Sequence, residues 1–484
     1  MNSPLRRLAT VVVLMFALLF ASTTYIQYAS AGTLNARTDN ARSLYKTYGR
    51  DRQPIVLAGQ QIASSVKVDD SYGYQRKYSQ GALYSAVTGY YSVVYGATGM
   101  ESSGDSLLAG TADQLFYRRV LDLLTGSPAQ GAAIELTINP KAQRAAWDAL
   151  GDQRGAVVAI DPATGNILAM VSKPAFDPNL LAGHDTKKVV AARTALLADP
   201  NRPLDNRAIA GRLYAPGSTF KLITAAAALE SGRYTKDTLV DGPAVLDLPQ
   251  TSVGLPNDFA GACTPSGKIT LLDALRISCN TAFGAVGLDL GGAALQDQAR
   301  KFGFGQTIKV PLPVTPSVFP AQLTPPQVAQ SAIGQFDVHV SPLQMAMVSA
   351  AIAEGGQVMR PQLINRVLAP DLTVISRPSP ESLGQAVSGE TAAQLTQMMQ
   401  AVVTGGTGVR AQIAGVDVAG KTGTAEQGKN QPPNAWFTGF APVGNPQVAV
   451  AVIVEDGGSL GDAASGGRVA APIARKVMEA VISR

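Results

Sequence analysis

Three short motifs carry the residue types that acyl transfer to a serine requires. Ser218-Thr219-Phe220-Lys221 sets a hydroxyl and an amine three positions apart. Ser278-Cys279-Asn280 offers a second hydroxyl and an amide, and Lys421-Thr422-Gly423-Thr424 a second amine beside two more hydroxyls. A serine hydroxyl is a weak nucleophile until a base takes its proton. Lys221 lies one helical turn from Ser218 on the same face and can be that base if its pKa is depressed. Lys421 is the candidate for a second cation that would depress it. Ser278 both donates and accepts, so it can relay a proton, and the Asn280 amide can hold a substrate backbone group and a lysine together. The Thr422 and Thr424 hydroxyls can grip a carboxylate, while Gly423 keeps the wall clear for an approaching chain. The backbone N–H groups of Ser218 and Thr424 would form an oxyanion hole.

No one of these motifs is decisive. Ser43 to Lys46 and Ser64 to Lys67 also read S-x-x-K, both in polar N-terminal stretches without partners. S-x-N and K-T-G each occur once. Taken singly, Ser218 reads as a helix N-cap with an exposed lysine, and the other two motifs as turns. The order is the signal, with 60 residues from 218 to 278 and 143 from 278 to 421. Those gaps leave room for a helical subdomain and then a return to a sheet.

The surrounding elements can position such a site. Leu222 to Leu229 is a strong helix former that stops near Gly232, so Ser218 is expected at a helix N-terminus, where the dipole favours developing negative charge. Residues 155–160 and 167–171 read as a β-hairpin around the turn 161–166. Strands are expected at 435–440 and 448–454, and helices at 141–150 and 470–482. A hairpin, then helices, then strands and a closing helix implies an α+β fold, an antiparallel sheet covered by helices. Trp436 is expected in the core and Glu426 at the surface.

The chain has 484 residues, 46% hydrophobic and 15% charged, enough for two or three domains with sizeable cores. A net charge of +5 without a Lys/Arg block gives nucleic-acid binding no support. Two histidines, His184 and His339, and two cysteines in no ligand spacing argue against a metal site and against a Ser-His-Asp triad. No cofactor is implied. Leu8 to Tyr28 carries no charge and follows Arg6 and Arg7, which suits a membrane-spanning anchor with its N-terminus inside the cell. The rival is a signal peptide cleaved at Ala29-Ser30-Ala31. Either way the chain beyond about residue 32 would lie outside the cytoplasm, where Cys263 and Cys279 could pair or remain buried thiols.

The ordered trio is that of penicillin-binding proteins and β-lactamases. The chain resembles class B penicillin-binding proteins, in particular the actinobacterial penicillin-binding protein A group, which the cysteine in the S-x-N motif also suggests. The likeness extends through Thr164–Val171, Lys173–Asn179, Tyr214–Lys221, Gly334-Gln335, Ser341–Gln344, Gly420–Glu426 and Trp436–Pro442. It covers residues 150–484 strongly and 32–150 weakly.

The resemblance implies a penicillin-binding/β-lactamase-like transpeptidase domain over 152–484. It would be preceded by a β-rich pedestal module over 32–151, with a short stub and transmembrane anchor over 1–31. It implies a D,D-transpeptidase of peptidoglycan synthesis that acylates Ser218 with D-Ala-D-Ala stem peptides and is trapped by β-lactams. Its partners would include division or elongation proteins. The alternatives are a D,D-carboxypeptidase or β-lactamase, and a non-catalytic division scaffold. No Glu in an E-x-x-L-N setting lies between Ser278 and Lys421, which weighs against fast deacylation.

Overall fold

The structure is a computed structural model that describes residues 2–35, 45, 47–117, 120, 124, 130–308, 310–428 and 431–483. These residues divide into two units, residues 1–51 with 65–75, and the remainder. In the first unit, helix Asn2–Thr24 runs into a π turn at Tyr25–Ala29. Ser3–Ala29 makes 27 residues of helix, long and apolar enough to cross a membrane.

In the second unit, five strands form the sheet that carries the site: β1 (Gly155–Ile160), β2 (Ile167–Lys173), β3 (Ala419–Ala425), β4 (Asn434–Ala441) and β5 (Val448–Val454). Their order is β3-β4-β5-β1-β2, and every neighbour is antiparallel. The inner strands β5 and β1 read as continuous apolar runs because both faces are covered. Val157, Ala159, Phe437, Val450 and Val452 point to one side, against helices α1 (Pro140–Leu150) and α6 (Ala470–Ile482). Ala156, Val158, Trp436, Ala449 and Ala451 point to the other. There they join the core of α2 (Lys221–Glu230), α3 (Asn280–Leu290), α4 (Pro342–Ala353) and α5 (Gly389–Gly405).

The N-terminal module has a mixed rather than purely β texture. Helices Gly81–Thr88 and Gly99–Ser103 sit among its strands, and the tyrosine-rich run at 91–95 yields only the strand Tyr91–Ser92. Its sheet also borrows from the later chain. Strand Ala133–Leu136 pairs in parallel with Ile55–Leu57 on one side and antiparallel with Ile364–Leu368 on the other. Val374–Ser376 follows at the edge beyond Ile364–Leu368. One buried carboxylate ties the module together. Glu101, fully buried, accepts from Arg52 Nε at 2.7 Å and Arg76 Nε at 2.6 Å. Burial works against its charge, yet the two guanidinium groups hold its carboxyl below the usual range.

Candidate active site

The segment that leads into Ser218 is pinned before it turns. Tyr214 exchanges both backbone hydrogen bonds with Val340, its hydroxyl donates to buried Glu455 at 2.6 Å, and Trp436 Nε1 donates to Ala215 O at 3.0 Å. Gly217 then adopts φ +52°, and its N–H donates to Gly334 O at 3.0 Å. A Cβ on Gly217 would lie 2.6 Å from Thr424 O, so the turn rests directly on the edge strand β3. Gly217–Phe220 is a 3-10 turn, and the α-helix begins only at Lys221, three residues later than the sequence implies. Side chains three apart eclipse in a 3-10 turn, so Ser218 and Lys221 still share a face.

Ser278 occupies the turn between helix Leu271–Arg276 and α3, in the left-handed region at φ +64°. A non-glycine residue held there is strained, a pattern that collects at functional sites. Cys279, the next residue, is bonded to Cys263. Asn257 Oδ1 accepts from Asn280 N at 3.0 Å and Thr281 N at 3.1 Å, meeting two free donors at the start of α3.

Two buried amines converge on this turn. Lys221 Nζ lies 2.8 Å from Ser278 O, 2.7 Å from Asn280 Oδ1 and 3.2 Å from Ser278 Oγ. Lys421 Nζ lies 2.9 Å from the same Ser278 Oγ and donates to Thr422 O at 2.8 Å. Both lysines are fully buried. Burial lowers the Lys221 ammonium to about 7, against an upward pull from Asp258. Burial, with Lys221 as a like charge nearby, also takes Lys421 well below the ordinary lysine range. A neutral Lys221 has two N–H groups for its two acceptor-only partners, Ser278 O and Asn280 Oδ1. Its lone pair is then left for a hydroxyl proton.

Ser218, Asn280 and Thr424 line one cleft of about 660 Å³ with Asp258, Gln335 and Glu426. Thr422 points elsewhere: it is 5% exposed and its hydroxyl meets Thr407 Oγ1 at 2.6 Å. Gly423 lies under the nucleophile turn, where a Cβ would meet Pro216 O at 2.9 Å. Neither histidine lines the cleft. Ser64 to Lys67 lies on the extended strand Gln60–Lys67, so its serine and lysine cannot act as a helical pair. The other S-x-x-K copy, Ser43 to Lys46, falls outside the described residues except Tyr45.

Trp436 is fully buried, as expected, but also fastens the nucleophile segment. Glu426 is exposed, as expected, yet lines the cleft. Asn257, Asp258, Thr407 and Glu455 escaped sequence reasoning. Each lies in a segment without a chemical pattern and reaches the site only through tertiary folding.

Buried paired lysines bridged by a hydroxyl, beside a serine on a helix-leading turn and an edge strand, define a serine acyltransferase of the penicillin-recognising kind. The model of the penicillin binding protein transpeptidase domain matches residues 155–479, and that of the penicillin binding protein A dimerisation domain matches 52–134. The chain belongs to the penicillin-binding protein transpeptidase family. It is 43% identical to peptidoglycan D,D-transpeptidase PbpA of Mycolicibacterium smegmatis, over 100% of this chain and 99% of that one. It is 40% identical to PbpA of Mycobacterium tuberculosis, with the same coverage. The penicillin G acyl-enzyme of penicillin-binding protein A from M. tuberculosis superposes with a TM-score of 0.85 at 40% identity, covering 90% of this chain and 100% of that one. The ceftriaxone acyl-enzyme of the same protein gives 0.86.

Proposed function

We propose that this chain cross-links peptidoglycan stem peptides as a D,D-transpeptidase working through an acyl-enzyme on Ser218, and that β-lactams trap this intermediate. The observation that carries the reading is Ser278 Oγ, 3.2 Å from Lys221 Nζ and 2.9 Å from Lys421 Nζ, with Lys221 also bonded to Asn280, which lines the same cleft as Ser218. Neutral Lys221 takes the Ser218 proton as Oγ attacks the penultimate D-Ala carbonyl. The carbonyl oxygen becomes an oxyanion facing the N–H groups of Ser218 and Thr424. The C–N bond to the terminal D-Ala breaks, and the proton passes through Ser278 to the leaving nitrogen. The amine of a second stem peptide then attacks the ester and gives up a proton along the same path, which frees Ser218. Thr424 and Lys421 receive the substrate carboxylate, with Asn280 holding the peptide backbone.

Residues 152–484 carry this chemistry on a pedestal of 32–151, outside the cytoplasm and anchored by the N-terminal helix. Division or elongation proteins are the partners this reading implies. Intact-protein mass of the full chain mixed with benzylpenicillin tests the site. A persistent adduct of whole-penicillin mass on Ser218 is expected. An adduct gone within seconds would make the chain a hydrolase, and no adduct would leave the scaffold reading.

A further inference from the structure

The Asn280 amide stands between two unlike neighbours. Its Nδ2 lies 2.8 Å from Asp258 Oδ1 and 3.3 Å from Pro256 O, both acceptor-only groups. Its Oδ1 lies 2.7 Å from Lys221 Nζ. An amide can turn over at little cost when its surroundings allow, and the turned form would aim an NH2 at the amine that must keep its lone pair for a hydroxyl. The carboxylate is the shorter and the charged contact of the two, so it decides the orientation.

Asp258 is itself well placed for this. Its neighbour Asn257 is fixed by Asn280 N and Thr281 N, and donates to Pro243 O and Gly261 O at 3.1 Å each. Two residues after Gly261 the same loop is bonded through Cys263 to Cys279. The loop therefore holds the S-x-N turn at three points, and Asp258 faces the cleft beside Ser218.

We propose that Asp258 is a positioning residue of the transfer reaction, which keeps the Asn280 amide turned with its oxygen toward Lys221 and so holds that lysine in the orientation of a base. This rests on the acyl-enzyme reading above. The charged group that acts on Lys221 is Asp258, from its loop, and Lys221 in turn acts as a like charge on Lys421 of β3. Glu426 and Asp462 line the same cleft further out. Removing the Asp258 charge takes away the one upward pull on Lys221, which should then lose its proton at lower pH.

The test is the second-order acylation rate of the full chain by benzylpenicillin against pH. It compares wild type, D258N, N280A and the double variant, with melting temperature followed alongside. In D258N the acid limb should move to lower pH and the high-pH plateau should fall about tenfold, the worth of one hydrogen bond to a charged group. In the N280A background D258N should leave the plateau within about twofold, because Asp258 acts on it through Asn280. D258A, which leaves only Pro256 O to orient the amide, guards against an effect peculiar to asparagine and should behave as D258N does. An unmoved limb with an unchanged plateau, or equal losses in both backgrounds, would overturn the proposal. Failure of wild type itself to acylate would instead sink the underlying reading.

Discussion

At Lys221 the structure gives function a pH coordinate. Its ammonium is lowered to about 7 by burial, and in the proposed mechanism only the neutral amine can accept the Ser218 proton. The neutral fraction grows as pH rises through that value, so acylation by benzylpenicillin should fall about tenfold per pH unit well below 7 and level off above it. A flat profile between pH 5 and 8 would exclude Lys221 as the base. Lys221→Arg keeps a cation but cannot surrender a proton near neutrality. It should lower the acylation rate by about 10²–10⁴-fold with the fold retained. Ser218, Lys221, Ser278, Asn280 and Lys421 were all legible as residue types at telling spacings. Asp258 was not, because a lone aspartate in a loop carries no pattern, and only the Cys263–Cys279 bond and Asn257 bring it to the cleft.

Among the elements, the nucleophile turn and strand β3 work as one surface. Ala at position 217 would drive its Cβ toward Thr424 O, from a backbone at φ +52° that side chains rarely adopt. Gly217→Ala should therefore cost about 1–3 kcal/mol of stability, and it should slow acylation by far more than the melting shift explains. A normal acylation rate would show that the turn tolerates displacement from β3. In the module, Glu101→Ala removes the buried carboxylate that Arg52 and Arg76 share, while Arg52 keeps its ion pair with Asp105. It should cost about 3–5 kcal/mol, read as a lowered denaturant midpoint. The catalytic strands and the helix at 470–482 could be read from sequence, since runs such as Val448–Val454 are apolar on both faces. The module resisted reading for a physical reason. Its sheet depends on Ile364–Leu368, more than 200 residues beyond Ala133–Leu136, and short strands that pair so distantly leave little local signal.

Across the whole molecule, the N-terminal apolar helix and the catalytic machinery make separate demands. Ser3–Ala29 is helical, 27 residues long and apolar. The full chain should therefore stay with membranes through alkaline carbonate washing, and release by that wash would argue for surface association alone. The site, by contrast, exists only when distant segments meet, since Ser218, Ser278 and Lys421 span 203 residues from first to last. Its integrity should then follow the cooperative unfolding of the sheet rather than a local transition. Trp436 supplies a probe, being fully buried on β4 and bonded to Ala215 three residues before the nucleophile. Heating the protein while following tryptophan fluorescence, with short pulses of a labelled penicillin to count competent sites, should give two curves with one midpoint. Loss of acylation several degrees below the fluorescence transition would mean that the S-x-N turn, strained at Ser278 and held by the loop of Asp258, opens on its own while the sheet stands.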